Sequence, residues 1–479
     1  MSTNDSEVQA LLQQTSRTTN EQPAAFEFQN SDFQTEDHPL YAKLALYASH
    51  ALSTWGQRMW EFAVGLIMLE LYPSSLVLVS AFGLADGLAK VLSGSFVGGY
   101  IDKTERLRAA CVMYILQNSA VALSAVTALV GLNLEPNSSA FWAAAFFTIG
   151  FGSASSVGAQ GSALSVEKEW STTLCYGDSA AMAKLNSGMR AIDLTCLLLS
   201  PIAAGFLMTY TSISTAILVI TAWNLAAWAP ECYLLLCARR LSSVLRQPKQ
   251  SSSKQEQTGS TSLLLFLREG GWAIYFKQSM WPAALALALL YLTVLSLGLL
   301  MTAYLKWQGM TEAVLSVYRG AGAVSGLLAT VAFPTFHRVA GLKSTGLMGV
   351  WWQATALILA VAPVWLTQLG ARLPESTTSN ILLTGLVASR FGLWLFDLSV
   401  SQMLQEWIPA EDIGLVNGVQ SSLQNLFQSL SFVAGLVFWR PQQFAILMYN
   451  SVAVVVLAAA GYSAFLCCGL RMRPTAGQL

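Results

Sequence analysis

The sequence predicts an all-α membrane protein of twelve transmembrane helices arranged as two six-helix halves. Three observations carry that prediction. Of the 479 residues, 54% are hydrophobic and only 11% charged, where soluble globular chains carry about 25% charged residues. Apolar runs long enough to cross a bilayer recur from residue 44 to residue 469. One long polar interruption, 238–279, leaves six runs on either side, the layout of transporters built from repeats with substrate held near the midplane. The net charge is zero, so no nucleic-acid partner is expected. No nucleophile–base set, phosphate-binding glycine loop or Cys/His cluster stands out. Neither an enzyme nor a resident cofactor is therefore expected.

Residues 1–40 are rich in Gln, Asn, Thr and Ser and lack an apolar leader segment. They read as a disordered cytosolic tail. The spans follow at about 44–71, 75–101, 107–131, 139–166, 183–209 and 213–237, and then 280–306, 312–335, 344–368, 380–406, 413–438 and 442–469. The first half is thus 41–237 and the second 280–470, with a short tail at 471–479. In the connection, 239–262 is a Ser/Gln/Lys/Arg-rich linker, while 264–278 is amphipathic and expected to lie at the interface. Alternate connections collect the basic residues, Lys103, Arg106, Arg108, Lys168, Arg239, Arg240 and Arg338 among them; the opposite side has Arg372 and Arg440. This asymmetry places both termini and the linker in the cytosol. The sequon at Asn137 then falls outside. A monomer embedded in membrane lipid is expected.

Span 1 is the least ordinary run. It holds Gln57, Arg58 and Glu61 near its middle, and a charge there costs about 2.5–3.5 kcal/mol on insertion scales unless it has a partner or a wet cavity. His50, Gln57 and Glu61 fall on one helical face. Oxygen and nitrogen ligands on one face point to an ion or proton site. A buried polar stripe that glues helices together is the alternative. In span 2, Asp86 and Lys90 stand four apart in an apolar helix. A structural ion pair is the first reading and a coupling role the sharper one.

Between spans 2 and 3 stands Gly98-Gly-Tyr-Ile-Asp102-Lys-Thr-Glu-Arg106-Leu-Arg108. This resembles the G-x-x-x-D-[RK]-x-x-R loop of the major facilitator superfamily. The run from His50 through Trp55-Gly-Gln57-Arg58 to Val64, the pair Gln117-Asn118, the stretch from Lys184 to Asp193 and Ala222-Trp-Asn224 resemble the ferroportin family. So do Gly271-Trp-Ala-Ile-Tyr-Phe276, the stretch from Arg390 to Asp397 and Val416-Asn-Gly-Val-Gln420. The motifs occur in order from about residue 40 to 465. The resemblance implies the major facilitator fold and export of ferrous iron.

It also implies site residues. In vertebrate ferroportins an Asp and a His of span 1 hold metal, and here those positions are Gln57 and Glu61. Gln117, Asn224 and Glu231 match the remaining first-half cation ligands in type. The resulting oxygen-rich set suits hard or intermediate divalent cations. In the second half, the vertebrate Cys and His positions are Leu299 and Ser431, so that site is not expected in its vertebrate form. The missing thiol also argues against control by the peptide hormone hepcidin. Asp397, with Ser401 and Gln405, forms a polar face on span 10 and is a further candidate for coupling. Gate residues correspond to Asp102, Arg106, Glu169, Asn186 and Arg190.

The sequence thus reads as a divalent-iron exporter working by alternating access, with proton exchange, in the plasma membrane or the vacuolar membrane. Fe2+ would be the cargo. Export of another divalent metal, carriage of an organic solute, or a receptor without transport are the competing readings.

Overall fold

The computed structural model describes residues 38–175, 179–247, 271–370, 374–408 and 413–469. The described part of the expected fold is helical throughout. Most of the expected N-terminal tail, linker residues 248–270 and the tail 471–479 lie outside it.

The first half consists of α1 Pro39–Leu71, α2 Val77–Lys103, α3 Arg106–Leu132, α4 Ser139–Ala163, α5 Ser171–Leu174, α6 Ser179–Tyr210 and α7 Ile213–Arg240. A π-helical stretch, Leu164–Trp170, separates α4 from α5. The helix starts are chemically marked. Pro39 opens α1, where its missing N–H costs nothing. Ser138 and Ser212 cap α4 and α7 through bonds from the Phe141 and Thr215 amides. Asn137 takes the left-handed conformation (φ 68°) that an Asn tolerates, so the sequon is also the turn that starts α4.

A four-residue helix, α8 Ser243–Arg246, follows. The second half contains α9 Gly271–Lys277, α10 Trp281–Leu289, α11 Leu299–Trp307, α12 Glu312–Ala340, α13 Leu342–Gln368, α14 Glu375–Trp407, α15 Ile413–Val437 and α16 Phe444–Gly469. Of the expected amphipathic segment, 264–270 lie outside the described residues, and most of the rest forms α9, which is packed on one side: Tyr275 is buried and donates to Gln420 Oε1 at 2.8 Å, while Gln420 Nε2 donates to the Ala284 carbonyl.

Nine helices among the described residues are long and apolar enough to cross a membrane. The other three expected spans fall short for separate reasons. Helix α1 carries its mid-run charges, α15 is rich in Gln and Ser, and the seventh span is broken into α10 and α11. The break runs through 290–298, from a 3-10 turn at Leu290–Leu292 to Gly298, the residue before α11. Several of its backbone groups have partners. The Val294 amide donates to Ser451 Oγ, the Leu295 amide to Thr293 Oγ1, and Arg390 Nη2 to the Leu295 carbonyl at 2.9 Å. Non-helical backbone at this depth persists only with such partners.

The halves meet near the end of α1 that carries Leu71. Thr209 of α6 donates to Glu312 Oε2 and accepts from the Ala313 amide at the start of α12. The Leu76 amide donates to the Trp439 carbonyl, and Leu299 lies on Gly65. Glycine makes the seam possible. A Cβ on Gly205 would meet the Glu312 carbonyl and Ser316, and one on Gly83 would enter the ring of Phe432.

Candidate metal centre

A cavity of about 270 Å³ lies within the first half. Glu61, Gln57 and Gln117 line it, as do His50, Ser53, Arg58, Lys90, Glu167 and Asp193. The face read from the sequence is real: His50, Gln57 and Glu61 all look into this space from α1. Glu61 accepts from Arg58 Nη1 at 2.7 Å and from Gln57 Nε2 at 3.2 Å. The two members of the Arg58–Glu61 pair are 32% and 30% exposed. The pair is thus partly buried, and each charge neutralises the other at a depth where a lone charge is costly. Gln117 is held by Ser53 and Ser162, with Oε1 accepting from both hydroxyls.

Asn224 and Glu231 are placed elsewhere. Two turns apart on α7, they are fully buried where that helix crosses α1, beside Gly56 and Ser49. They do not line the cavity that holds Glu61. Small residues explain the crossing: a Cβ on Gly56 would meet Asn224 Oδ1 at 2.9 Å. Glu231 Oε2 accepts from Asn118 Nδ2 at 3.0 Å, whereas its Oε1 has no hydrogen-bond partner. Asn224 Oδ1 and Gln57 Oε1 are likewise unpartnered. Three of the five expected ligands therefore present a buried oxygen without a donor. Buried carboxylates cost several kcal/mol unless compensated, and orphaned oxygens of this kind await a cation or an ordered donor.

A family model described as Ferroportin1 matches residues 41–455. The chain belongs to the ferroportin family. A rice protein named solute carrier family 40 member 1 is 34% identical over 439 residues, covering 87% of this chain and 89% of its own. Human ferroportin is 27% identical, with coverage of 90% and 92%. Among solved structures, a bacterial homologue of the iron transporter ferroportin in its inward-facing state superposes with a TM-score of 0.76. It has 24% identity, covering 89% of this chain and 98% of that one. A D-xylose–proton symporter shares the fold at 14% identity, TM-score 0.59, with coverage of 89% and 97%. The architecture is thus that of the major facilitator transporters. This ferroportin-family chain is a multi-pass membrane protein of a transporter family, not an enzyme.

The other expected residues fall in several places. Asp86 and Lys90 do pair, at 2.9 Å, and Lys90 also lines the first cavity. Arg106 and Glu169 stand 3.4 Å apart within the first half, and Arg106 also donates to the Gln247 carbonyl. Arg190 is exposed. The side chains of Asp102, Asn186 and Gln405 lie outside the described residues. Asp397 lines a second cavity, of about 190 Å³, with Arg390, Gln353 and Gln428. Leu299 packs at the seam, and Ser431 donates to the Gln428 carbonyl within its own helix. Neither offers a ligand toward that cavity.

Sequence reasoning missed three polar groups. Glu167 and Asp193 face the first cavity beside His50. Arg319, on α12 of the second half, lies over the ring of Phe62 at 5.6 Å, next to Glu61 in sequence. Asp193 and Arg319 were visible as charges near apolar runs. Glu167 was hidden among the charges at a helix end.

Proposed function

We propose that this chain exports Fe2+ by alternating access of its two halves, with the first half carrying the ion. The observation that carries this reading is Glu61, in a cavity beside Gln57 and Gln117, with Arg58 and Gln57 donating to its carboxylate. The relatives named for ferroportin support iron as cargo. Glutamate must be deprotonated to bind metal, so proton exchange accompanies transport. The Lys/Arg asymmetry sets the Pro39 end of α1 in the cytosol, together with both termini and the 238–279 connection. The halves touch at the opposite end, which corresponds to an inward-open state. A TM-score of 0.76 to the inward-facing bacterial homologue, against 0.59 to its outward-facing form, supports that assignment. The gate residues Arg106, Glu169 and Arg190 lie at the open end, where they would meet the second half when it closes. The plasma membrane and the vacuolar membrane both suit such an exporter. Leu299 offers no thiol, so control by hepcidin is not proposed.

A second reading is favoured by one substitution. Glu61 stands where vertebrate relatives place an imidazole, and carboxylate and amide oxygens discriminate less between divalent ions. Co2+, Ni2+, Mn2+ or Zn2+ would then be carried as well. Flux of these ions and Fe2+ into proteoliposomes tests both readings. Flux of Fe2+ sensitive to Glu61→Gln is expected. No divalent-metal flux from correctly folded protein would overturn the proposal.

A further inference from the structure

Three side chains from separate elements converge on the Pro39 side of the first cavity. His50 comes from α1, Asp193 from α6 and Glu167 from the π-helical stretch between α4 and α5. His50 Nε2 is 2.9 Å from Asp193 Oδ1 and 4.0 Å from Glu167 Oε1, and one ligand atom from each lies within 4.8 Å of the others. His50 is only 5% exposed, yet it faces the cavity. The π stretch matters here. Widening the helix by one residue re-aims a side chain, and such bulges gather at functional sites.

We infer that His50, Glu167 and Asp193 form a second divalent transition-metal site, an entry station distinct from Glu61. The geometry is close to that of a loaded site. With metal–ligand bonds of about 2.0–2.2 Å, two ligand atoms on one ion stand about 3.0–3.6 Å apart. The His50–Asp193 separation, a hydrogen bond of 2.9 Å, is just below that range, His50–Glu167 at 4.0 Å is just above it, and the third pair lies within 4.8 Å. A shift of Glu167, whose side chain is 34% exposed, would close the 4.0 Å separation. To bind the ion, Nε2 presents its lone pair with the ring proton on Nδ1, an imidazolium first releasing its second proton to water, and the two carboxylates neutralise the divalent charge. One nitrogen with two oxygens favours Co2+, Ni2+, Zn2+ or Fe2+ over Ca2+ and Mg2+. The station supplies the imidazole that position 61 lacks. Eleven residues of α1 separate His50 from Glu61, about 16 Å of helix, so the two sites are sequential along one cavity. That the ion bound here is cargo rests on the transport reading; that it binds does not.

The test uses the full chain, purified in detergent, with Glu61→Gln introduced to silence the deeper site. The chain has three histidines, so His38→Gln and His337→Gln leave His50 as the sole imidazole. Cu2+ bound to this protein should show nitrogen hyperfine structure in its electron paramagnetic resonance spectrum, and its absence would overturn the site. Equilibrium dialysis should find Co2+ bound at least about tenfold more weakly after His50→Gln, with Ca2+ binding little changed. Should His50→Gln fail to fold, Glu167→Gln at its partly exposed position serves instead and should also weaken Co2+ binding. Unchanged Co2+ affinity in the folded variant would sink the proposal even if Glu61-dependent flux were established. Conversely, Co2+ held by His50 in a protein without flux would keep this site and remove the transport reading.

Discussion

The two halves share an architecture but not a chemistry. The first-half cavity sets Glu61, Glu167 and Asp193 against Arg58 and Lys90, with His50 and three glutamines among them. The second-half cavity has one arginine and one aspartate, and its other polar lining is amides, hydroxyls and an indole. The proposed function assigns the divalent ion to the first, where the described residues gather three carboxylates and an imidazole. The second half instead contains the broken span, whose open backbone is held by Arg390, Ser451 and Thr293. On the proposed function, binding falls to the first half, while the broken span belongs to the second.

The largest effect expected from this division is on Glu61. Glu61→Gln should lower Fe2+ or Co2+ flux in proteoliposomes by at least about tenfold, since the neutral amide is a poorer ligand. Retained flux would move the site out of the first half. Acidification comes next. Protons compete with metal for carboxylates and imidazole, so affinity measured by dialysis should fall as pH is lowered towards about 5. A flat profile would mean that neutral oxygens carry the binding. Thr209→Val removes two hydrogen bonds across the seam, a loss of about 1–3 kcal/mol from the closed contact. Spin labels on either side of that seam should report a population shifted towards separation there. The smallest effect is expected at Ser431→Ala, within about twofold in flux, because its hydroxyl only bonds back to its own helix. Abolished transport in that variant would return metal chemistry to the second half.

Much of this was legible in the chain. Charges inside an apolar run singled out α1, and the 3.6-residue period put His50, Gln57 and Glu61 on the face they occupy. Composition gave the membrane class. What could not be read was which faces meet. Asn224 and Glu231 share a face of α7, but that face packs on Gly56 and Ser49 and does not open into the cavity with Glu61. Their positions depend on how closely two helices approach, a tertiary property that spacing does not encode. The trio of His50, Glu167 and Asp193 was hidden for a related reason. Its members lie far apart in sequence, and one is turned inward by a π stretch that no residue pattern announced.

The glycines of the seam carry a consequence beyond packing. Gly205 and Gly83 lie where one added carbon would strike the opposite half. A methyl group at either position would act as a doorstop, raising the energy of the closed outer contact while leaving every ligand untouched. The resting side of such a carrier can therefore drift during evolution without loss of cargo recognition. Variants that differ in how long they wait facing each side of the membrane are one alanine away.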